Sequence, residues 1–578
     1  MTVAMTDRRA AMASTSVTQV RRRHLPDLQI SLTTDLSPTK LSRPPSPSRD
    51  LPTEILLHIF AFCVAPDESN IEAFTALHIV RISHVCHVWR EISLAYPPFW
   101  SNIAFKTPFL ATTMLERSKP TPIVIRANLT PGGGQLDDTS YRIRCMFKAV
   151  SRALRSSDRA KEIDLRSGPS KHLTKAFDDI RPTTSQLEYF SLRGYGDNLR
   201  STVFDVPISI FSHCAFPLRT LILERCHVIP SALFRHCTHL THLELRSVTA
   251  FSIGDIITLL RLASSSLQSI FLDSVPLHAG VVEEALQIVF PHLSLLHFNA
   301  IHGDSHAHNV FFLLHFLAIP PSASLILQFL ILGSTRQIPV PIINTLARHF
   351  CAGEPIRSLI VFQANLHKRR GLRIQGWTRS TLPRFFYADH APPPSIDVHF
   401  VWEEEDDNSL IERILPEFAT IGPLHAVQTL TVARVSVLSV AAMDVLLLML
   451  PSVREICVHG SAALRALYGL ELNGNVINRA PPLARLRELR SLTIHEASFR
   501  NGETHDVSLR ALCDRLDESP GRGYGITELI VCYSDASRQD MEELAKHVRE
   551  FLWDGSTNGT SVVPVPPQLD LVPSNNRP

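Results

Sequence analysis

The sequence predicts a mixed α/β chain: a small helical module near the N-terminal end, followed by an irregular solenoid with a curved parallel sheet. Three observations lead there. Residues 51–105 carry two apolar patterns at helical spacing, closed by paired prolines and a Phe-Trp pair. From Ala160 onward a short phrase, apolar-x-x-apolar-x-apolar, recurs along the chain. Helix-like segments fall between its copies, so strand, turn, helix, turn is the expected unit.

Composition bounds the function classes. The 578 residues are 45% hydrophobic and 19% charged, enough apolar content to bury a sizeable core. A net charge of +2 offers no global electrostatic reason to bind nucleic acid or an acidic membrane. The 10 cysteines include no Cys-x-x-Cys pair, which suits buried free thiols in a reducing compartment. The first twenty residues lack the apolar stretch of a secretory signal. The longest apolar runs, Val310–Ile319 and Val435–Leu450, contain His315 and Asp444 and fall short of the roughly 20 clean residues of a membrane span. A soluble protein of the cytoplasm, the nucleus or both is expected.

Four segments follow from the composition shifts. Residues 1–50, with Arg21-Arg22-Arg23 and Arg43-Pro44-Pro45-Ser46-Pro47-Ser48-Arg49, hold too little apolar surface to offset ordering entropy and read as a disordered tail. Ser37-Pro38 and Ser46-Pro47 suit phosphorylation and the arginines a nuclear-import signal, but both motifs are short, and a solvated tail is the preferred reading. Residues 51–110 form the helical module. Residues 111–555 form the solenoid, with an irregular insertion around 362–420, and residues 556–578 read as a second disordered tail.

In the module, Leu51-Pro52-Thr53-Glu54-Ile55-Leu56-Leu57-His58-Ile59-Phe60 opens a helix. Asp50 is placed to cap it, Pro52 lies in the first turn and Glu54 sits at the positive end of the dipole. Ile55, Leu56, Ile59, Phe60 and Cys63 have the spacing of one helical face. After Pro66–Asn70 a second pattern runs through Ile79, Ile82, Val85, Cys86, Trp89 and Ile92 until Pro97-Pro98 ends it. Phe99-Trp100 follow as an apolar plug. The unit has more apolar surface than it can hide alone.

The order Leu51-Pro52-x-Glu54-Ile55-Leu56, Val85-Cys86-x-Val88-Trp89-Arg90 and Pro98-x-Trp100 resembles an F-box, particularly the F-box-like proteins abundant in basidiomycete fungi, whose tails are leucine-rich. The resemblance implies docking onto the Skp-type adaptor of a cullin–RING ubiquitin ligase through Leu51, Pro52, Ile55, Leu56 and Ile59, together with Val85, Cys86 and Trp89. Which of these touch the adaptor and which fill the module's own core stays open in the sequence. The segment between Phe60 and Val80 is longer than in the compact family pattern. The competing reading is an amphipathic helical hairpin that caps the solenoid.

Copies of the repeated phrase are Ala160…Ile163…Leu165, Leu187…Phe190…Leu192, Leu218…Leu221…Leu223, Leu240…Leu243…Leu245, Leu267…Ile270…Leu272 and Leu293…Leu296…Phe298. Later ones are Leu327…Leu330…Leu332, Ile356…Leu359…Val361, Val427…Leu430…Val432, Val453…Ile456…Val458, Leu489…Leu492…Ile494 and Ile526…Leu529…Val531. The starts at 218, 240, 267 and 293 are 22, 27 and 26 residues apart, within the roughly 20–29 residue period of leucine-rich repeats. Helices are expected at Ile253–Leu262, Val281–Val289, Ile342–Phe350, Ala441–Leu450 and Leu509–Leu516. The Asn that usually follows such strands is absent from most copies, so backbone groups there need other partners.

From Ile356 to Val427 the interval exceeds one repeat. It contains His367-Lys368-Arg369-Arg370, Gly371–Trp377, Ser395–Trp402 and Glu403-Glu404-Glu405-Asp406-Asp407. At least one extra strand, Ile396–Val401, is expected, with a protruding loop suited to a partner; the acidic run by itself reads as solvated.

No catalytic, cofactor or metal site is expected. His302, His306 and His308 lack a Cys or second His pair to complete a metal shell. Pro131-Gly132-Gly133-Gly134 lacks the Lys-Ser/Thr of a phosphate loop, and Cys86 is expected to pack on an apolar helical face. Two function classes stand: a non-enzymatic substrate receptor of a ubiquitin ligase, or an interaction scaffold with a degenerate F-box and no ligase.

Overall fold

A computed structural model describes residues 51–64, 75–105, 107–129, 136–167, 177, 186–194, 204–206, 217–234, 237–249, 251–275, 287–300, 312–330, 340–366, 369–379, 393–403, 411, 414–415, 417–418, 424–433, 435, 439–469, 482–499, 509–517 and 525–555. The expected tails, the His302–His308 cluster, the Gly132–Gly134 turn and the acidic residues after Glu403 lie outside these. The chain divides into residues 1–55 and residues 56–578. In the first unit, Leu51 and Pro52 lead into helix α1 (Thr53–Val64), and the Ile55 N–H donates to the Pro52 carbonyl at 3.1 Å.

The second unit continues α1 into α2 (Thr75–Ile82) and α3 (His87–Ala95), then enters a mostly parallel 17-stranded sheet. Its first strands are β1 (Asn102–Ile103), β2 (Ile123–Leu129), β3 (Ala160–Ser167), β4 (Tyr189–Gly194), β5 (Thr220–Glu224) and β6 (His242–Arg246). Next come β7 (Ser269–Asp273), β8 (Leu295–Ala300), β9 (Ser324–Leu330), β10 (Ser358–Leu366), β11 (Arg369–Trp377) and β12 (Ile396–Glu403). The last are β13 (Thr429–Ala433), β14 (Glu455–His459), β15 (Ser491–His495), β16 (Glu528–Cys532) and β17 (Glu550–Trp553).

The repeated phrase works by placing three side chains on one side of the sheet. Leu240 turns the chain inward, and Leu243 and Leu245 follow on alternate positions of β6; all three are buried. Ile270 and Leu272, Leu296 and Phe298, and Ile456 and Val458 repeat the arrangement in register on neighbouring strands. Helices cover that side. Helix α4 (Ile253–Ala263) starts with a capping box between Ser252 and Asp255 and sends Ile256, Leu259 and Leu260 into the same core.

The backbone supplies the regularity that the side chains lack. Where several of the strands begin, one carbonyl accepts two successive N–H groups: Arg219 from Thr241 and His242, Thr241 from Gln268 and Ser269, Arg454 from Arg490 and Ser491. Where strands end, Arg225, Ser247, Ser274, Glu496 and Tyr533 adopt left-handed backbone, with φ between 48 and 54°. That conformation points the Arg225, Ser247 and Ser274 N–H groups at the carbonyls of Arg246, Asp273 and Asn299, at 2.7–2.8 Å.

Among the described residues, the expected all-parallel array is interrupted once. Strands follow chain order from β1 to β9 and from β13 to β17, but between them the order runs β12, β11, β10. Strand β12 pairs parallel with β9, β10 pairs parallel with β13, and β11 runs antiparallel to both its neighbours. The cause is local. Leu366 pairs with Arg369, and a two-residue connection can only return the chain antiparallel. The insertion therefore contributes Arg369–Trp377 to the sheet as well as the anticipated Ile396–Val401.

Two other expectations shift. The phrase placed at Leu327…Leu330…Leu332 belongs earlier, since Leu325 and Leu327 stand in register with Leu296 and Phe298; the run Leu325-Ile326-Leu327 contains no polar residue to mark the phase. In the segment Val281–Val289, Ile288–Val289 is a short strand paired with Leu317–Ala318, so the expected helix does not extend through its end.

The left-handed turns can be tested directly. Ser247→Val should lower stability by about 1–2 kcal/mol, because a β-branched side chain resists that backbone, whereas Ser247→Asn should be neutral or slightly stabilising. Urea unfolding midpoints of the two variants should separate accordingly; equal midpoints would remove the strain argument.

Candidate functional site

Packing in the helical module decides which side chains are available to a partner. Within residues 56–578, Leu56 and Phe60 sit one turn apart on α1 and are buried with Ile79, Ile82, Phe99 and Trp100. The half-buried Trp89 ring meets Phe60 edge-on with centroids 4.8 Å apart. Trp100 Nε1 donates to the Ser93 carbonyl at 2.8 Å, and the Arg117 guanidinium lies 4.5 Å over its ring.

The single stripe expected on α1 resolves into two. Leu56 and Phe60 face inward, while Ile59 is exposed, Cys63 is exposed and Phe62 is 84% exposed. The expected second helix likewise breaks in two. The Ser83 hydroxyl donates to the Val80 carbonyl at 2.6 Å and the Arg90 Nε donates to the Ser83 carbonyl at 3.0 Å, so side chains hold the backbone between α2 and α3. Cys86 then stands at the N-cap of α3, with its Sγ accepting the Trp89 N–H at 3.5 Å. It is exposed and caps a helix, which corrects the expectation that it packs. Val85, 60% exposed, and Val88 flank it.

Of the sequence-predicted docking residues in this unit, Leu56 fills the core and Trp89 is half-buried, while Ile59, Val85 and Cys86 are exposed. In residues 1–55, Leu51, Pro52 and Ile55 are exposed. Sequence reasoning missed Phe62 and Val88. The signal for Phe62 was present, because positions 55, 59 and 62 have the i, i+4, i+7 spacing of one helical face.

A second candidate surface is the sheet face opposite the core, where β-strand alternation leaves polar residues in rows. Arg126 bonds Glu162 at 2.7 Å, and Arg246 bonds Glu244 at 2.7 Å. Burial pushes the Glu244 carboxyl up, but the His242 bond and the Arg246 charge outweigh it and hold the group below its ordinary value. On the reversed strand, Arg373 grips Asp397 with two bonds, Nε to Oδ1 at 2.8 Å and Nη2 to Oδ2 at 2.6 Å, and Gln375 adds a third at 3.1 Å. Asp397 is 4% exposed as a side chain, so its charge depends on this clamp. Across from Arg373 stands buried His399, whose Nε2 has no hydrogen-bond partner. Burial, and then the Arg373 charge, push its pKa down to about 4.

Residues 48–106 match the family described as F-box-like. F-box domains generally bind Skp-type adaptors, and this one suggests an adaptor role in SCF-type ligases. Comparison with curated proteins returns no match. Among the described residues no helix is long and apolar enough to cross a membrane.

Two outcomes follow from this packing. Phe62→Ser should leave thermal stability within about 0.5 kcal/mol of the parent, whereas Phe60→Ala should cost about 3–5 kcal/mol. A large loss for Phe62→Ser would show that the exposed ring is structural. For His399, the unfolded chain takes up a proton near pH 6.5 and the folded chain only near 4. Stability from this residue is therefore complete above 6.5 and falls as pH drops through that window, by up to about 1.4 kcal/mol per unit. His399→Gln should flatten this part of the pH–stability curve; an unchanged slope would discard the assignment.

Proposed function

We propose that the protein is a substrate receptor of a cullin–RING, SCF-type ubiquitin ligase, in which the F-box-like module binds the Skp-type adaptor and the rest of the chain holds a protein substrate. The observation that carries this reading is the F-box-like match at residues 48–106, in a module that leaves large apolar side chains uncovered. Phe62, Val85 and Ile59 are exposed apolar side chains of this module, available to a partner. Leu51, Pro52 and Ile55 are taken as adaptor contacts, as are Ile59, Val85 and Cys86, with Phe62 and Val88 added; Leu56 and Trp89 support the module from within.

The remainder is read as a leucine-rich-repeat-like solenoid. Support comes from the 22–27 residue spacing of the phrases, from parallel register and from turns that recur at both strand ends. The similarity to basidiomycete F-box proteins belongs to this reading. The substrate is a protein held on the polar sheet face, and transfer of ubiquitin speeds up by proximity rather than by chemistry on this chain, which is proposed to be no enzyme and to need no cofactor. Work in the cytoplasm, the nucleus or both is consistent with that role.

A pull-down with purified Skp-type adaptor tests the assignment. Changing Leu51 and Pro52 together to Ala should weaken capture at least about tenfold, the effect of 1.4 kcal/mol lost from an interface anchor, with circular dichroism unchanged. Full binding by a folded double variant would remove these two residues from the interface. Failure of the parent to bind would favour a scaffold that works without the ligase.

A further inference from the structure

Strands β14 and β15 bring together a set of soft ligands that the adaptor reading does not use. Cys457 and His459 are two apart on β14 and so emerge on one face, while Ile456 and Val458 take the core side. His495 lies directly across from His459 on β15. The thiol and the two imidazoles place their ligand atoms within 4.8 Å of one another. Cys457 Sγ is 3.5 Å from His459 Nε2, and the His459 and His495 rings stack with centroids 4.5 Å apart and planes 7° from parallel.

These separations are close to those of a metal shell. A tetrahedral zinc ion with Zn–S near 2.3 Å and Zn–N near 2.0–2.1 Å holds its sulfur and nitrogen ligands about 3.6 Å apart and its two nitrogens about 3.4 Å apart. The Cys457–His459 edge already has that length. The two imidazole planes are only 7° from parallel, so one ring must rotate out of the stack for both in-plane lone pairs to reach a shared ion. Rigid strands on either side fix the three Cα positions, which keeps the cost of organising the ligands low.

We propose that Cys457, His459 and His495 form a binding site for a zinc-class divalent cation, with three protein ligands and the fourth tetrahedral position left to water. The surroundings suit such an ion. His459 is 4% and His495 5% exposed, so the rings are shielded from competing solvent. Tyr533 stacks against His495 at 6.3 Å, and the Asp554 carboxylate, which accepts the Tyr533 N–H at 2.7 Å, brings a negative charge to that side of the cluster. Cys457 would coordinate as a thiolate, so binding the ion releases the thiol proton.

The test uses the full chain, stripped with a chelator and titrated with Co²⁺ alone, then with Zn²⁺. The expected result is one tightly bound Co²⁺ with intense tetrahedral bands and a thiolate-to-cobalt charge-transfer band, both abolished when Zn²⁺ displaces it. Cys457→Ser should remove the charge-transfer band, and His495→Gln should weaken binding at least tenfold. X-ray absorption of the zinc-loaded parent should show one sulfur and two imidazole nitrogens, a result that needs no variant to fold. No stoichiometric uptake by the parent, a shell of another composition, or unchanged affinity in a folded Cys457→Ser chain would each overturn the proposal.

Discussion

The structure depends on the parallel backbone ladder and the core-facing triplet that rides on it. One strand and one helix cannot bury Leu240, Leu243 and Leu245 from water; the neighbouring copies built on Leu218 and Leu267 must stand beside them. Register is therefore fixed by burial. A slip of one residue would turn every leucine of a strand to the opposite face and bring a charged or polar residue inward. Because main-chain bonds join successive units, the side chains at the left-handed exits are free to differ, and they do: arginine, serine, glutamate and tyrosine all occupy that place.

The same alternation that loads the core empties the opposite face for other uses. There the residues are polar yet often buried, which favours matching by a neighbour on the next strand, although His399 Nε2 goes without one. The Asp397 clamp meets this demand with charge-assisted bonds. On β14, His459 meets it in part through the Cys457 thiol, 3.5 Å from its Nε2. In the helical module the balance tips the other way. Its small core takes Leu56, Phe60, Phe99 and Trp100, and no room is left beneath for Ile59, Phe62 or Val85.

Much of this was legible in the residues. The phrases around Leu221, Leu243, Ile270, Leu296, Leu430, Ile456, Leu492 and Leu529 all became strands, because alternation next to a polar residue leaves one register open. Strand β11 was overlooked: Leu372-Arg373-Ile374-Gln375 alternates apolar and polar residues as a strand does, but the segment lacks the repeated phrase, and its partners are set by a hairpin closing at Leu366 and Arg369. In the module, periodicity located the helices but could not say which apolar stripe faces inward, since Ile55, Leu56, Ile59 and Phe60 satisfy two helical faces at once. Cys457, His459 and His495 escaped notice because a ligand set across two strands is 36 residues apart in sequence between His459 and His495 and only one ladder step apart in space.

The reversed order at the centre of the sheet also governs how the protein can be made. On a ribosome, β9 emerges with its outer edge ready to pair, but the next strand to appear, β10, does not bind it. Its true neighbour, β12, begins at Ile396, 66 residues after Leu330. At about 5–20 residues per second of synthesis, the growing chain holds that edge unsatisfied for several seconds. During this interval the apolar run Ser324–Leu330 is a template for any passing extended segment, its own later strand β10 included. Nascent copies on one message would thus meet their greatest hazard of mispairing midway through translation, at a stage when the N-terminal module has already left the exit tunnel and can be engaged.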